Sequence, residues 1–279
     1  MNKQVKASFK KEFLAYFRTK KLIIITCVII GLSILSPVLI TGMGALMDMM
    51  SDIYAEFGMD ISELTEALGS TASIGVISSV SDITGPGLIV ILLLMLRAAG
   101  GEQKKRAVII PQSSGLRSFA YIFPKFIIYP LTAFVLAVIG MIFSWLVSAM
   151  LFDINDVTFI RALTAGVLAG ICLMFYICFH ITLGTATGKA GMSAAVCITA
   201  SLLLPNIFAF TISDYMYNPF ALNLLASSLV HSDVFTGAEA LEIIVTIIFA
   251  LALMISAFFI ALFAQNARKI NNTGNEIDL

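Results

Sequence analysis

This 279-residue sequence has a cluster of charged residues between two long apolar runs, and their side chains are the ones most able to do chemistry. The upstream run ends at Leu96, and the downstream run, residues 126–151, carries no charge. One acid, Glu102, lies among six basic residues: Arg97, Lys104, Lys105, Arg106, Arg117 and Lys125. Lys and Arg beside membrane spans resist translocation, so the pattern predicts a cytoplasmic loop. Such a loop either receives force from a soluble partner or serves only as a positive-inside signal.

The sequence offers little else that points to catalysis. His180 stands alone in an apolar stretch, which favours a hydrogen-bonded packing residue over a ligand. Residues 184–190, GTATGKA, are superficially similar to a phosphate-binding P-loop. They are one residue short, lack the final Ser or Thr and follow no strand. We find no nucleophile with a base, no carboxylate pair and no metal-ligand spacing, so we expect no enzyme activity, no cofactor and no metal on this chain.

The acids also bear on the class of transporter. Asp82, Asp214 and Glu242 fall at the ends of the predicted spans, and no span carries an acid in its middle third. Ion-coupled carriers usually need ionisable groups inside the membrane. The pattern therefore disfavours a secondary transporter. Gly166 and Gly170 have the GxxxG spacing that permits close helix contact, although this spacing is also common by chance.

Composition places these residues in a membrane protein. The chain is 59% hydrophobic and 12% charged, with a mean hydropathy of +0.98. Apolar runs of about 20 residues, enough to cross a bilayer as helix, recur along it. The fold class is therefore an all-α polytopic membrane protein with one transmembrane domain, residues 1–279. The four cysteines lie in apolar runs and are interpreted as small core residues: Cys27, Cys172, Cys178 and Cys197.

Six transmembrane helices are predicted, at residues 22–42, 83–99, 126–151, 159–183, 192–212 and 241–263. Residues 1–21 are basic and place Val5, Phe9, Phe13 and Phe17 on one helical face. This pattern is typical of an amphipathic helix lying at the membrane interface. The alternative, a targeting signal, is weak because no small-residue cleavage site is obvious.

The connecting segments differ in charge. Residues 43–82 carry seven acids and no Lys or Arg, so we place them outside. There they could cap a pathway, bind a cation or form a solvated helix. Residues 100–125 form the basic loop. Residues 213–240 are a second outer segment. Their apolar run 221–230 is too short to span a membrane and too apolar for a free loop. We therefore predict a re-entrant or interfacial hairpin before the last span.

The distribution of Lys and Arg sets the orientation. With six spans both termini lie on one side, and Arg161 is the one basic residue left on the other side. The positive-inside rule then predicts a multi-pass cell-membrane protein with both termini in the cytoplasm.

This layout resembles the type-2 family of ATP-binding-cassette (ABC) export permeases. The resemblance rests on the basic N-terminal helix, the six spans, the acidic segment after the first span, and the basic loop that begins with Gly101-Glu102. The loop continues with Lys104–Arg106, Pro111, Ser113 to Arg117, and Lys125. It departs from the family pattern in a shorter Glu-to-Pro interval and in Ala107-Val108, where the family has Gly-Thr.

The resemblance implies a permease subunit of an ATP-driven exporter, a dimer of permeases or a pair of related ones on two ATPase subunits. ATP and Mg would bind on those partners, and the substrate would be an amphipathic or hydrophobic solute such as a peptide, drug-like or lipid-like compound. We expect no nucleic-acid partner. The alternatives are an ion-coupled carrier and a non-transporting scaffold or immunity protein.

The resemblance also assigns roles to residues. The coupling loop would dock on the ATPase through twelve residues: Gly100, Gly101, Glu102, Lys104, Lys105, Arg106, Val108, Ile109, Ile110, Pro111, Arg117 and Lys125. Val108, Ile109 and Ile110 are expected to dominate the contact, because buried apolar groups carry most interface energy. An outer gate is expected at Asn218, Pro219, Phe220 and Leu224.

Overall fold

The computed structural model describes residues 3–56, 71–102, 115–152, 157–211, 218–231 and 237–274. In these ranges every regular element is helical. The α-helices are α1 (Lys3–Arg18), α2 (Lys21–Glu56), α3 (Ala72–Asp82), α4 (Leu88–Leu94), α5 (Ser118–Leu151), α6 (Phe159–Thr187), α7 (Ala190–Thr211), α8 (Leu222–His231) and α9 (Gly237–Gly274). Two π-helical turns, Ile83–Gly87 and Arg97–Gly101, and one 3-10 turn, Pro219–Ala221, complete them.

Six helical stretches in the described part are long and apolar enough to cross a bilayer. They are Lys21–Leu46, Ala72–Leu94, Ser118–Leu151, Phe159–Thr187, Ala190–Ile207 and Ala240–Arg268. Each offers about the length that a hydrocarbon core requires. The expected all-α polytopic class with six membrane-spanning helices is confirmed.

The helices extend beyond the apolar runs that mark them in the sequence. The second apolar helix begins at Ala72, where the side chain of Thr71 caps the Ile74 amide, and not at residue 83. The helix of the first span continues to Glu56, and that of the third begins at Ser118 rather than 126. Hydropathy locates the apolar middle of a span, whereas backbone hydrogen bonds and caps set the ends of its helix.

The fourth span is the centre of the packing. In α6, 72% of the most apolar window is buried, against 28–50% in the other five spans. Two glycines bring α5 close to it. A Cβ atom on Gly166 would lie 2.9 Å from Cβ of Met141, and one on Gly170 would lie 2.6 Å from Cδ2 of Phe134. The GxxxG spacing therefore serves specific helix contact here.

The N-terminal helix exposes part of its predicted aromatic stripe. Phe13 and Phe17 are about half exposed, and their rings contact each other with centroids 4.5 Å apart. The buried face instead carries Val5, Glu12 and Tyr16. Because Lys20 adopts a left-handed backbone conformation (φ 56°), the chain turns between α1 and α2. Exposed aromatic side chains beside a basic face fit a helix at the membrane interface.

The short apolar helix before the last span packs against the middle of α6. Asn218 caps its first turn by accepting from the Phe220 amide at 3.1 Å, and Pro219 occupies the first helical position. The Phe220 ring lies edge-on to Phe175, with centroids 5.2 Å apart. Since Phe175 lies near the middle of α6, this segment contacts the fourth span away from its ends.

Candidate functional site

Lys125, at the base of the basic loop, is withdrawn from solvent, with 2% of its side chain exposed. Its Nζ donates to Glu102 Oε2 at 2.9 Å, to the Tyr121 hydroxyl at 2.9 Å and to the Ala98 carbonyl at 3.1 Å. An ammonium has three hydrogens, so each finds an acceptor. This full set of partners is what a buried charge needs to be tolerated among apolar side chains.

Glu102 is the partner that balances this charge. Its Oε2 also accepts from the Tyr121 hydroxyl at 3.0 Å, and its Oε1 accepts from Lys11 Nζ at 3.2 Å. Burial opposes ionisation of Glu102, but the charges and hydrogen bonds of Lys125, Lys11 and Tyr121 outweigh it and lower its pKa to about 2. Glu102 is therefore an ionised carboxylate at neutral pH.

The N-terminal helix supplies a second buried acid. Glu12 on α1 accepts from the Tyr129 hydroxyl at 2.9 Å, and its Oε1 lies 4.0 Å from Lys125 Nζ. The Tyr16 ring lies edge-on to Tyr129 with centroids 5.1 Å apart. We call Glu12, Glu102, Tyr121, Lys125 and Tyr129 the buried ion cluster. It joins three elements, namely α1, the end of the second span and the start of the third.

Three further hydrogen bonds, made by the side chains of Gln4 and Lys21, connect the N-terminal region to the same part of the chain. Gln4 donates to the carbonyl of Gly115 at 3.2 Å and accepts from the Arg117 amide at 3.3 Å. Lys21, at the start of α2, donates to the carbonyl of Leu94 at 2.6 Å. The N-terminal region thus contacts the chain on both sides of residues 103–114.

The end of the second span also crosses α6 at very short range. Gly100 has φ +132°, and a Cβ there would lie 2.5 Å from the carbonyl oxygen of Gly184. A Cβ on Gly184 would collide with the carbonyl oxygen of Ala99. Gly100 is therefore needed for this backbone crossing, in addition to the expected break in the helix at Gly100-Gly101.

Residues 184–190 do not form a phosphate-binding loop. Gly184 lies inside α6, and Gly188 ends that helix in the left-handed conformation at φ 69°. The Arg268 side chain donates to the carbonyl of Ala186 at 2.7 Å. One turn before Gly184, His180 is buried and lies 2.9 Å, through Nδ1, from Ser193 Oγ, which fits the expected packing role. Within the described ranges no cluster of metal ligands occurs.

A cavity of about 760 Å³ opens beside this crossing. Leu96, Arg97 and Gly101 line one side, and the turn at residues 188–192 lines the other. Arg97 also lies near Glu102, with Nε 3.9 Å from Oε1. The cavity is therefore bounded by the same segment that holds the buried ion cluster.

The structure describes part of the predicted coupling site. Gly100, Gly101, Glu102, Arg117 and Lys125 have the positions given above. Seven residues of that prediction lie outside the described residues: Lys104, Lys105, Arg106, Val108, Ile109, Ile110 and Pro111. Glu102 and Lys125, 23 positions apart, meet in the buried ion cluster.

The predicted outer-gate residues lie on the short apolar segment before the last span. Pro219 is buried, whereas Asn218, Phe220 and Leu224 are half-buried. Phe220 inserts between aromatic rings of α6, contacting Phe175 and Phe179. Phe220 therefore fixes this segment to the central helix.

One expectation about the acids is wrong. Asp82 does not lie at the end of a span, because the second apolar helix runs from Ala72 to Leu94 and places Asp82 near its middle. Its Oδ2 lies 2.6 Å from Ser36 Oγ on α2. The helix continues past the polar residues at 78–82, which hydropathy alone assigns to the outer segment. The second apolar helix therefore carries an acid between Ala72 and Leu94.

Sequence reasoning also missed Glu12, Tyr121 and Tyr129. Glu12 is the single acid among seven basic residues in the first 21 positions, and this isolation was the available signal. The two tyrosines follow the loop at the spacing i, i+4, i+8 with Lys125, so they share one face of α5. Nothing in the sequence pairs them with Glu12, 117 positions from Tyr129.

No protein-family model matches this chain, and a search of curated proteins likewise returns no match. The geometry of the buried ion cluster and of the spans is therefore the basis for assigning a function.

Proposed function

We propose that this chain is the membrane-spanning permease subunit of an ATP-driven ABC exporter that moves an amphipathic or hydrophobic solute outward. Both termini and the basic loop would face the cytoplasm, and two ATPase subunits would dock there with their ATP and Mg. A second permease, identical or related, would complete the pathway.

The observation that carries this proposal is the buried ion cluster at the base of the loop. A force applied to residues 103–114 acts on Glu102 and on Arg117, which precede and follow them. Glu102 is bonded to Lys125 and Lys11, so movement reaches the third span and α1 together. Charged hydrogen bonds in a low-dielectric site are short and strong, which suits a joint that must transmit displacement without yielding.

The segment that carries the candidate outer-gate residues supports the same function through its contacts with α6. Phe220 packs into the aromatic cluster of α6, whereas α6 also crosses Gly100 near its inner end. One central helix therefore contacts both the loop region and the candidate outer gate. Movement of α6 relative to its neighbours would link them.

The test is co-purification from native membranes into nanodiscs. We expect a P-loop ATPase to accompany the chain in near-equal amount and to hydrolyse ATP. Ile109→Asp should abolish that association, because a charge at the centre of an apolar contact is costly. Lys104→Gln is the matched control and should weaken it modestly. A chain that purifies alone without nucleotide hydrolysis contradicts the proposal, and normal assembly of Ile109→Asp would move the docking site elsewhere.

A second candidate function is an ion-coupled carrier, and Asp82 is the observation that favours it. An ionisable residue within an apolar helix long enough to cross a membrane is a common mark of an ion pathway. Transport that persists without any ATPase and follows an imposed proton or sodium gradient would identify this class.

A further inference from the structure

The cavity beside the crossing of the second span and α6 combines basic and apolar side chains. Its volume is about 760 Å³, within the range of about 300–1,000 Å³ that is usual for small-molecule sites. Arg97 lines one wall and Lys189 the other, and among the described residues no Asp or Glu lines it. The charge of this lining favours an anionic ligand.

Arg97 has hydrogen-bond donors to offer to such a ligand. Its side chain is 63% exposed, and its Nε lies 3.9 Å from Glu102 Oε1, which is too far for a hydrogen bond. The Glu102 carboxylate already accepts hydrogen bonds from Lys125, Lys11 and Tyr121. A guanidinium carries five N–H donors in one plane, an arrangement that matches the oxygens of phosphate or carboxylate groups.

The opposite wall brings two further basic side chains to the turn between α6 and α7. Lys189 is exposed and follows Gly188, which ends α6. The Arg268 guanidinium lies beside the same turn, where it donates to the carbonyl of Ala186 at 2.7 Å. A Cβ atom on Gly188 would lie 2.7 Å from Nη1 of Arg268. Basic groups from three separate elements therefore lie around one cavity.

This arrangement suits a phosphate group better than a carboxylate. A phosphate monoester carries a charge of about −1.5 to −2 at neutral pH and has three strong acceptor oxygens, which point in different directions. A carboxylate has only two oxygens, both in one plane. Leu96 and Met192 add apolar surface to the lining, so the cavity has room for an apolar group attached to the phosphate.

Glycines keep this space open. Gly101, Gly188 and Gly191 are three of the eight lining residues, and a Cβ atom on Gly191 would have no atom within 4 Å. A larger side chain at residue 191 would therefore extend into open space without a clash. The segment 184–190 does not wrap around a phosphate with its own backbone, and its last residues instead contribute one wall of the cavity.

We propose that this cavity binds the phosphate group of an amphipathic anion. Arg97 and Lys189 contact the phosphate oxygens from opposite walls, Arg268 adds positive charge at the turn, and Leu96 and Met192 face the apolar part. A phospholipid and a free phosphate compound share this chemistry. The site is built from this chain alone, so it binds phosphate whether or not an ATPase docks.

Lipid retention tests the site on the full chain in nanodiscs of phosphatidylcholine and phosphatidic acid. Native mass spectrometry should find phosphatidic acid bound to the released wild type. Lys189→Gln should reduce the bound fraction about tenfold, because one charge-assisted hydrogen bond is lost. Gly191→Trp should reduce it severalfold by filling the space. Lys10→Gln and Gly42→Trp are the matched controls and should bind like wild type, since Gly42 also has no atom within 4 Å of its Cβ position.

Inorganic phosphate distinguishes the two sources of the ligand. In nanodiscs of phosphatidylcholine alone, phosphate should raise the melting temperature of the wild type above that in chloride of equal ionic strength, because a bound ligand stabilises the fold. This shift without retention of phosphatidic acid would identify a free phosphate compound, and retention would identify a lipid. If neither probe binds, or if Lys189→Gln and Gly191→Trp bind like their controls, the proposal is wrong. Melting temperatures without either probe show that the variants fold.

Discussion

The charge of Lys125 is balanced inside the protein rather than by solvent. Its three donors reach Glu102, Tyr121 and a backbone carbonyl, all at 2.9–3.1 Å. A buried pair adds little net stability relative to apolar residues of similar size, but removing one partner leaves an uncompensated charge. At the scale of single residues, the cluster therefore acts as a constraint on which substitutions the fold tolerates.

We expect Glu102→Gln to lower the free energy of unfolding by about 3–5 kcal/mol, because Lys125 would remain buried without its closest opposite charge. Denaturant or thermal unfolding in nanodiscs measures the change. Adding Lys125→Met should recover much of the loss, since the unpaired charge is removed. Lys10→Gln on the exposed face of α1 is the control, expected within about 0.5 kcal/mol of wild type. If Glu102→Gln is as stable as Lys10→Gln, the pair of Glu102 and Lys125 does not constrain the fold.

The same carboxylate sets a pH dependence. The folded-state pKa of Glu102, about 2, lies below its ordinary value of 4.5. Its contribution to stability is therefore complete above pH 4.5 and is lost as the pH falls through 2. We expect the wild type to lose more stability than Glu102→Gln over this interval, measured by unfolding at each pH. Parallel curves would contradict the assignment.

At the scale of elements, the crossing of the second span with α6 depends on the absence of side chains. Gly184 faces the carbonyl oxygen of Ala99, and Gly100 adopts a backbone conformation that favours glycine. The GxxxG pair, Gly166 and Gly170, serves the same purpose against α5. The central helix is thus fixed by close backbone approach on two sides.

Gly184→Ala should reduce both yield and melting temperature, because the new methyl group would overlap backbone atoms that have no room to move. Gly31→Ala in α2 is the matched control, with no atom within 4 Å of its Cβ position. Alanine favours helix by up to about 1 kcal/mol over glycine, so Gly31→Ala should be neutral or stabilising. Equal behaviour of the two variants in a thermal assay would contradict the crossing.

At the scale of the whole molecule, the sequence separates positive from negative charge along the chain. The basic residues lie mainly in the N-terminal helix, in the loop at 100–125 and in the C-terminal tail, whereas the acids concentrate at 43–82 and 213–240. The predicted orientation, with both termini in the cytoplasm, rests on the Lys and Arg residues, since acids contribute little to orientation.

Thiol labelling of intact cells checks this orientation. A cysteine placed at Asp60 or Asp233 should react with a membrane-impermeant reagent, and one at Ser113 should react only after permeabilisation. The wild type is the control, because Cys172, Cys178 and Cys197 are buried and Cys27 lies in the first span. The reverse pattern would overturn both the orientation and the proposed docking of an ATPase.

The sequence by itself determined the six spans, their order and the basic loop. The physical reason is that a bilayer imposes its thickness on each span separately, so length and hydropathy within one segment suffice. It also identified Glu102, Lys125 and the glycines as residues to explain.

The tertiary structure alone decided which of these residues meet. Glu12 joins Tyr129 across 117 positions, and Asp82 joins Ser36 across 46. Composition and periodicity describe one helix at a time, whereas a pair between helices depends on how each is rotated and offset against its neighbour. The sequence placed Asp82 at the end of a span for this reason, whereas the second apolar helix begins earlier, at the cap formed by Thr71, and includes Asp82.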